Sequence, residues 1–162
     1  MDDATKGGWT IRPARADEAA SLSALALRSK AHWGYDAAFM TACAEELSIT
    51  PEELVAHHAR ALEQDGALLG FYTLEPCDAP GAIELGHMFV EPAWIGRGCG
   101  GALLRHAARL ANALGHRTLV IQGDPHAAGF YEALGGRRVG ARASESIPGR
   151  TLPVFHLALS DP

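Results

Sequence analysis

Long apolar runs are missing from this sequence: none approaches the ~18 residues that a membrane-crossing helix needs. The start, Met1-Asp2-Asp3, is acidic where a signal peptide would be basic, so a cytoplasmic protein is expected. Cysteine is scarce. Cys43, Cys77 and Cys99 are odd in number, far apart and without a Cys-x-x-Cys pair, which excludes a disulfide framework and argues for reduced thiols. The histidines have no ligand spacing, His57 and His58 being adjacent and divergent, so no metal is expected. Basic charge is also short. A formal net charge of -5 leaves no broad nucleic-acid footprint.

What is present is an ordinary globular composition, 48% hydrophobic and 20% charged, which allows a packed core. The length suits one domain that buries roughly 70% of the surface its unfolded chain exposes. Trp9–Arg12 reads as a strand, and Asp17 as the N-cap of a helix over Glu18–Lys30. His32–Asp36 breaks that helix, and a second follows from Ala37 to Leu47. Thr50-Pro51-Glu52-Glu53 has the form of a capping box that opens a short helix.

Asp65-Gly66 lies between His58–Leu62 and Ala67–Leu74, as in a two-residue hairpin, with a helix through Leu62 as the rival reading. The clearest strand is Ile83–Val90, closed by Glu91-Pro92. Leu103, Leu104, Ala107, Ala108, Ala111 and Leu114 then mark one face of a helix that ends at Gly115, before a short buried strand at Thr118–Ile121. A helix over Ala127–Leu134 and strands near Arg137–Ala143 and Leu152–Leu159 complete the chain. Strands and helices are mixed, giving an α+β or mixed α/β class.

Between Val90 and the long helix runs Ile95-Gly96-Arg97-Gly98-Cys99-Gly100-Gly101. A glycine-rich turn into a helix presents backbone N–H groups at the positive end of the helix dipole, where a phosphate can sit. The run also fits G-x-G-x-x-G, the dinucleotide fingerprint. Against that reading, Glu91–Ile95 separate it from its strand, the next acidic residue after the following strand is Asp124, and little chain remains for a second set of strand-helix units.

Val90-Glu91-Pro92, then Ile95 through Gly100 and Ala102-Leu103-Leu104, resembles the central motif of the GNAT superfamily of N-acetyltransferases, Q/R-x-x-G-x-G/A after a strand ending Val-x-Pro. Asp124-Pro125-His126-Ala127-Ala128-Gly129-Phe130-Tyr131 through Gly136 resembles its N-x-x-A-x-x-F-Y-x-x-x-G-F motif. Ile95, Asp124 and Gly136 depart from the pattern, standing where the family has Gln or Arg, Asn, and an aromatic.

The resemblance implies a single domain over residues 1–162 with a central mixed, mostly antiparallel sheet flanked by helices. It implies direct transfer of an acetyl group from acetyl-CoA to a primary amine of a small-molecule or amino-acid-like acceptor, with a homodimer left open; from the charge balance and the lack of long apolar runs, no nucleic-acid or membrane partner is expected. Coenzyme A would lie against Gly96, Arg97, Gly98, Cys99, Gly100 and Gly101, alongside Met88, Phe89 and Val90, and near Asp124 and Ala127. Tyr131 matches the general acid, and Glu84 the base, with His87 as the alternative. As strand neighbours three apart, Glu84 and His87 are expected on opposite faces. His32, Trp33 and Tyr35 fall where the superfamily binds its acceptors, and the acidic balance favours a cationic one. A non-catalytic acyl-CoA-binding module and a dinucleotide-binding oxidoreductase are the alternative functions.

Overall fold

Asp65 and Gly66 both adopt positive φ, 51° and 82°, as a type I′ hairpin turn requires. They join strand β3 (Arg60–Gln64) to β4 (Ala67–Pro76) in a computed structural model that describes residues 3–4 and 8–159. The helical rival over Leu62 is thereby excluded. β3 starts two residues later than expected because His57 caps helix α3 (Pro51–Ala56) and His58 turns at φ 47°.

The other strands are β1 (Asp3–Ala4), β2 (Thr10–Pro13), β5 (Ala82–Val90), β6 (Thr118–Gln122), β7 (Arg137–Ala143) and β8 (Thr151–Ala158). The helices are α1 (Ala19–Ala31), α2 (Ala37–Leu47), α4 (Cys99–Ala113) and α5 (Ala128–Ala133). The strands form one sheet in the order β1-β2-β3-β4-β5-β6-β8-β7, antiparallel everywhere except β5 with β6. A parallel pair needs a crossover, and α4 supplies it. This is the mixed, mostly antiparallel sheet that was expected, flanked by helices on both faces.

Two cores explain why β4 is apolar on both faces. On one side Phe71 meets Leu22, Leu25, Cys43 and Leu47 of α1 and α2; on the other, Tyr72 and Leu74 meet Leu103, Leu104 and Ala107 of α4. The start of α1 differs from expectation. A short 3₁₀ turn, Ala16–Glu18, precedes it, and Glu18 rather than Asp17 does the capping, accepting the Arg15 N–H at 2.8 Å. Glu18 is held in place by a bidentate pair with Arg12 at 2.9 and 2.8 Å.

One irregularity in β5 changes which of its side chains share a face. Thr73 pairs with His87, and Leu74 with Leu85, so Gly86 is an extra residue in β5. A β-bulge resets the alternation of side chains beyond it. Glu84, opposite Glu75, therefore shares a face with His87, opposite Thr73. The expected opposite-face arrangement is corrected by that single inserted residue.

Close approach of α4 to β4 depends on Gly70. A Cβ there would lie 2.8 Å from the Phe89 carbonyl oxygen and 3.0 Å from Leu103 Cδ1. Gly70→Ala is expected to destabilise the fold by about 1–3 kcal/mol, read as a lower urea midpoint at unchanged slope; an unaltered midpoint would show that the helix shifts freely.

Candidate functional site

The parallel pairing of β5 with β6 stops at Leu85 opposite Ile121, although β5 continues to Val90. Past that point the two strands diverge. A cavity of about 940 Å³ opens there, and its walls include Met88, Phe89 and Val90 of β5, the glycine turn, and Asp124, Ala127 and Tyr131. The backbone of β5 from Gly86 to Val90 thus has a sheet neighbour, β4, on one side only.

Gly96 and Gly98 sit at φ 82° and 92°, a region that side chains disfavour, so the turn into α4 needs glycine at both. The first backbone hydrogen bond of the helix runs from the Ala102 N–H to the Gly98 carbonyl, which leaves the N–H groups of its first turn without helical partners. They lie at the positive end of a helix of 15 residues. Gly96, Gly98, Gly100 and Gly101 line the cavity. The Cys99 side chain instead is buried in the core, and burial pushes its thiol up, away from the reactive thiolate. Arg97 is exposed, its guanidinium 5.0 Å over the Trp94 ring.

Tyr131 lies on α5 between the rings of Phe130 and Phe155, at centroid distances of 5.1 and 5.6 Å. Burial raises its phenol, and the Asp124 carboxylate adds to the shift. Gly136 stands beneath it: a Cβ there would be 2.8 Å from the Tyr131 carbonyl oxygen. Glycine, where the motif has an aromatic, is what lets the chain leave α5 so closely.

Asp124 is the centre of a polar knot. It receives Lys30 Nζ at 2.5 Å, the Tyr35 hydroxyl at 2.9 Å and the His126 N–H at 2.9 Å. Arg150 donates to the Tyr35 oxygen at 2.7 Å. Burial alone would push the Asp124 carboxyl up, but the hydrogen bonds from Lys30 and His126 outweigh it and hold the group well below the usual carboxylate range. The Tyr35 hydroxyl is pushed up to about 12 by burial and by that carboxylate. Tyr35 is thus committed to the knot and stacks on Phe39. Trp33 stacks on His126 and lines the cavity, whereas His32 is exposed and touches Trp33 edge-on, away from the cavity wall.

On the floor of the cavity, Glu84 Oε2 accepts from Arg142 Nη1 at 3.0 Å. His87 is buried, its Nδ1 3.0 Å from Thr73 Oγ1 and 3.6 Å from Glu75 Oε2; its Nε2 is buried with no hydrogen-bond partner. The hydrogen bond from His87 holds the Glu75 carboxyl below its ordinary value against the opposing effect of burial. Thr73, Glu75 and Arg142 escaped sequence reading. Gly86, an isolated glycine inside a strand pattern, was the available sign of the bulge that gathers the first two around His87. Among the described residues no group of three His, Cys, Asp or Glu is placed to hold a metal, and no helix is long and apolar enough to cross a membrane.

The model of an acetyltransferase (GNAT) domain matches residues 55–135, from the end of α3 to the end of α5. No curated protein matches the chain by sequence. Among solved structures, the GCN5-related N-acetyltransferase (Aminotransferase, Class-II) of Rhodopseudomonas palustris superposes with a TM-score of 0.76 at 22% identity, over 92% of this chain and 94% of that one. The PaiA N-acetyltransferase of Thermoplasma acidophilum, in complex with coenzyme A, gives 0.75 at 17%, over 93% and 98%. The ribosomal-protein-S18-alanine N-acetyltransferase of Escherichia coli gives 0.69 at 18%, over 95% and 96%. The matched segment contains the glycine turn, the free stretch of β5 and Tyr131, and with it the chain belongs to the GNAT acetyltransferase family.

Proposed function

We propose that the protein transfers the acetyl group of acetyl-CoA directly to a primary amine of a small-molecule acceptor. The observation that carries this reading is the meeting, in one cavity, of an anion-suited helix start, an unpaired strand edge and a buried tyrosine. Each part fits a piece of the chemistry. A Cβ added at Gly96 would meet nothing, so bare backbone faces open space there, and the free N–H groups at the start of α4 suit the pyrophosphate of coenzyme A. The open side of β5 from Met88 to Val90 offers backbone donors and acceptors to the amide-bearing pantetheine arm. Asp124 and Ala127 then border the thiol end. That the Thermoplasma structure, of the same fold, is a complex with coenzyme A supports acetyl-CoA as the co-substrate.

In the reaction the amine nitrogen attacks the acetyl carbonyl carbon, a C–N bond forms and the C–S bond breaks. A backbone N–H near Phe89 or Val90 steadies the oxyanion. Tyr131, kept neutral by burial, gives its proton to the leaving thiolate. Glu84 takes the proton of the amine, directly or through a water, with Oε1 as the oxygen that Arg142 leaves free. Cys99 takes no acyl group in this scheme, because its buried, protonated thiol points into the core.

Tyr131→Phe is expected to lower kcat by about a hundredfold or more, measured as thiol release, with the calorimetric affinity for coenzyme A nearly unchanged. Normal turnover by that variant would remove Tyr131 from the mechanism. The pH profile gives an independent check. An acid must be protonated to act, and the Tyr131 phenol is raised above its ordinary ~10. The kcat of the wild type should therefore hold level from about pH 8 to about pH 10; an alkaline decline inside that window sinks the assignment.

A further inference from the structure

One turn beyond the glycines, α4 carries an arginine that the acetyl-transfer scheme leaves unused. Arg105 follows Gly101 by four residues, and a helical side chain leans toward the N-terminus, over the residue four places before it. Gly101 has no side chain to occupy that ground. A Cβ placed on it would lie 3.1 Å from Arg105 Nη1, 3.4 Å from Nη2 and 3.6 Å from Cζ, so it is the guanidinium itself that rests against the first turn of the helix. Gly101 lines the cavity, and its N–H belongs to those that the helix leaves without a helical partner.

A guanidinium and a helix start carry charge of the same sign, and a cation is disfavoured at that end of a helix. They repel each other unless an anion stands between them. No side chain provides it: among the described residues no carboxylate lies within ion-pair distance of Arg105. The neighbouring positions explain why a cation is needed from α4. Ile95, where the motif has Gln or Arg, packs against the core, and the Arg97 guanidinium sits over the Trp94 ring.

The group that fits between Arg105 and the helix start is a phosphate. Its oxygens point in several directions, so one pair can take the fork of an arginine while another oxygen takes backbone N–H groups. Coenzyme A carries such groups in its pyrophosphate and in its 3′-phosphate. We propose that Arg105 is a coenzyme-binding residue of this chain, gripping one phosphate of coenzyme A together with the N–H groups at the start of α4, in place of the polar residue that position 95 lacks. This rests on acetyl-CoA as the co-substrate.

The test is calorimetric titration of the full chain with coenzyme A and with dephospho-coenzyme A, which lacks the 3′-phosphate, at low and high salt. Arg105 is exposed and glutamine is a comparable helix former, so Arg105→Gln is expected to keep the urea midpoint of the wild type. It should weaken coenzyme A binding by about five- to tenfold at low ionic strength, a gap that narrows as salt screens the pair. Arg105→Lys should recover part of the loss, since it restores the charge without the fork, and Arg97→Gln should weaken binding less than Arg105→Gln. An equal loss with both ligands places Arg105 on the pyrophosphate, and a loss confined to coenzyme A places it on the 3′-phosphate; either supports the proposal. Wild-type affinity of Arg105→Gln for both ligands, a loss that salt leaves unchanged, or a larger loss from Arg97→Gln overturns it. A wild type that binds neither ligand overturns instead the co-substrate reading on which it rests.

Discussion

The parting of β5 from β6 after Leu85 is the constraint on which the rest of the site depends. Up to that residue the sheet satisfies its own backbone groups. Beyond it β5 keeps only one neighbour, and its exposed polar backbone is tolerated because it faces a cavity rather than the core. The same parting leaves room for the start of α4 and the Tyr131 helix, which meet where Gly100 approaches the Phe130 ring, to line one cavity. The opening between the strands is therefore an outcome of sheet geometry, and the connections that carry Trp33, Gly96 and Asp124 complete its walls.

Much of this was legible in the sequence because the signals were local. Asp65-Gly66, the Thr50 capping box and the glycines before α4 each demand a backbone conformation that few other residues allow, and each element appears where those residues place it. The register of β5 was not legible in the same way. Counting residues predicts opposite faces for Glu84 and His87, and only pairing with β4 shows that Gly86 is inserted. Position of β8 between β6 and β7 is equally non-local, since it reverses the order of the chain. Partners such as Arg142 for Glu84 and Lys30 for Asp124 come from elements 58 and 94 residues away, and no spacing rule reaches that far.

Departures from the family motif become intelligible when their neighbours are known. Asp124 stands where an asparagine is usual, and a carboxylate buried alone at that place would be costly. Lys30, Tyr35 and Arg150 answer it from α1, from the α1–α2 connection and from the β7–β8 turn. The charge thus ties together three segments that the sheet itself does not join. Arg150 adds cation–π contacts to Tyr35 and Phe39, at 5.1 and 4.8 Å, so the knot is also packed. An asparagine at position 124 would keep an acceptor for the turn but lose the charge that pairs with Lys30.

Electrostatically, the start of α4 and Tyr131 differ in kind. The N–H groups of the first turn of α4 present partial positive charge without any titratable group, so no change of pH removes it. Tyr131 is titratable, but burial raises its phenol, and at neutral pH it carries no charge of its own. The cavity therefore joins an anion-suited helix start to a neutral hydroxyl, and neither weakens the other.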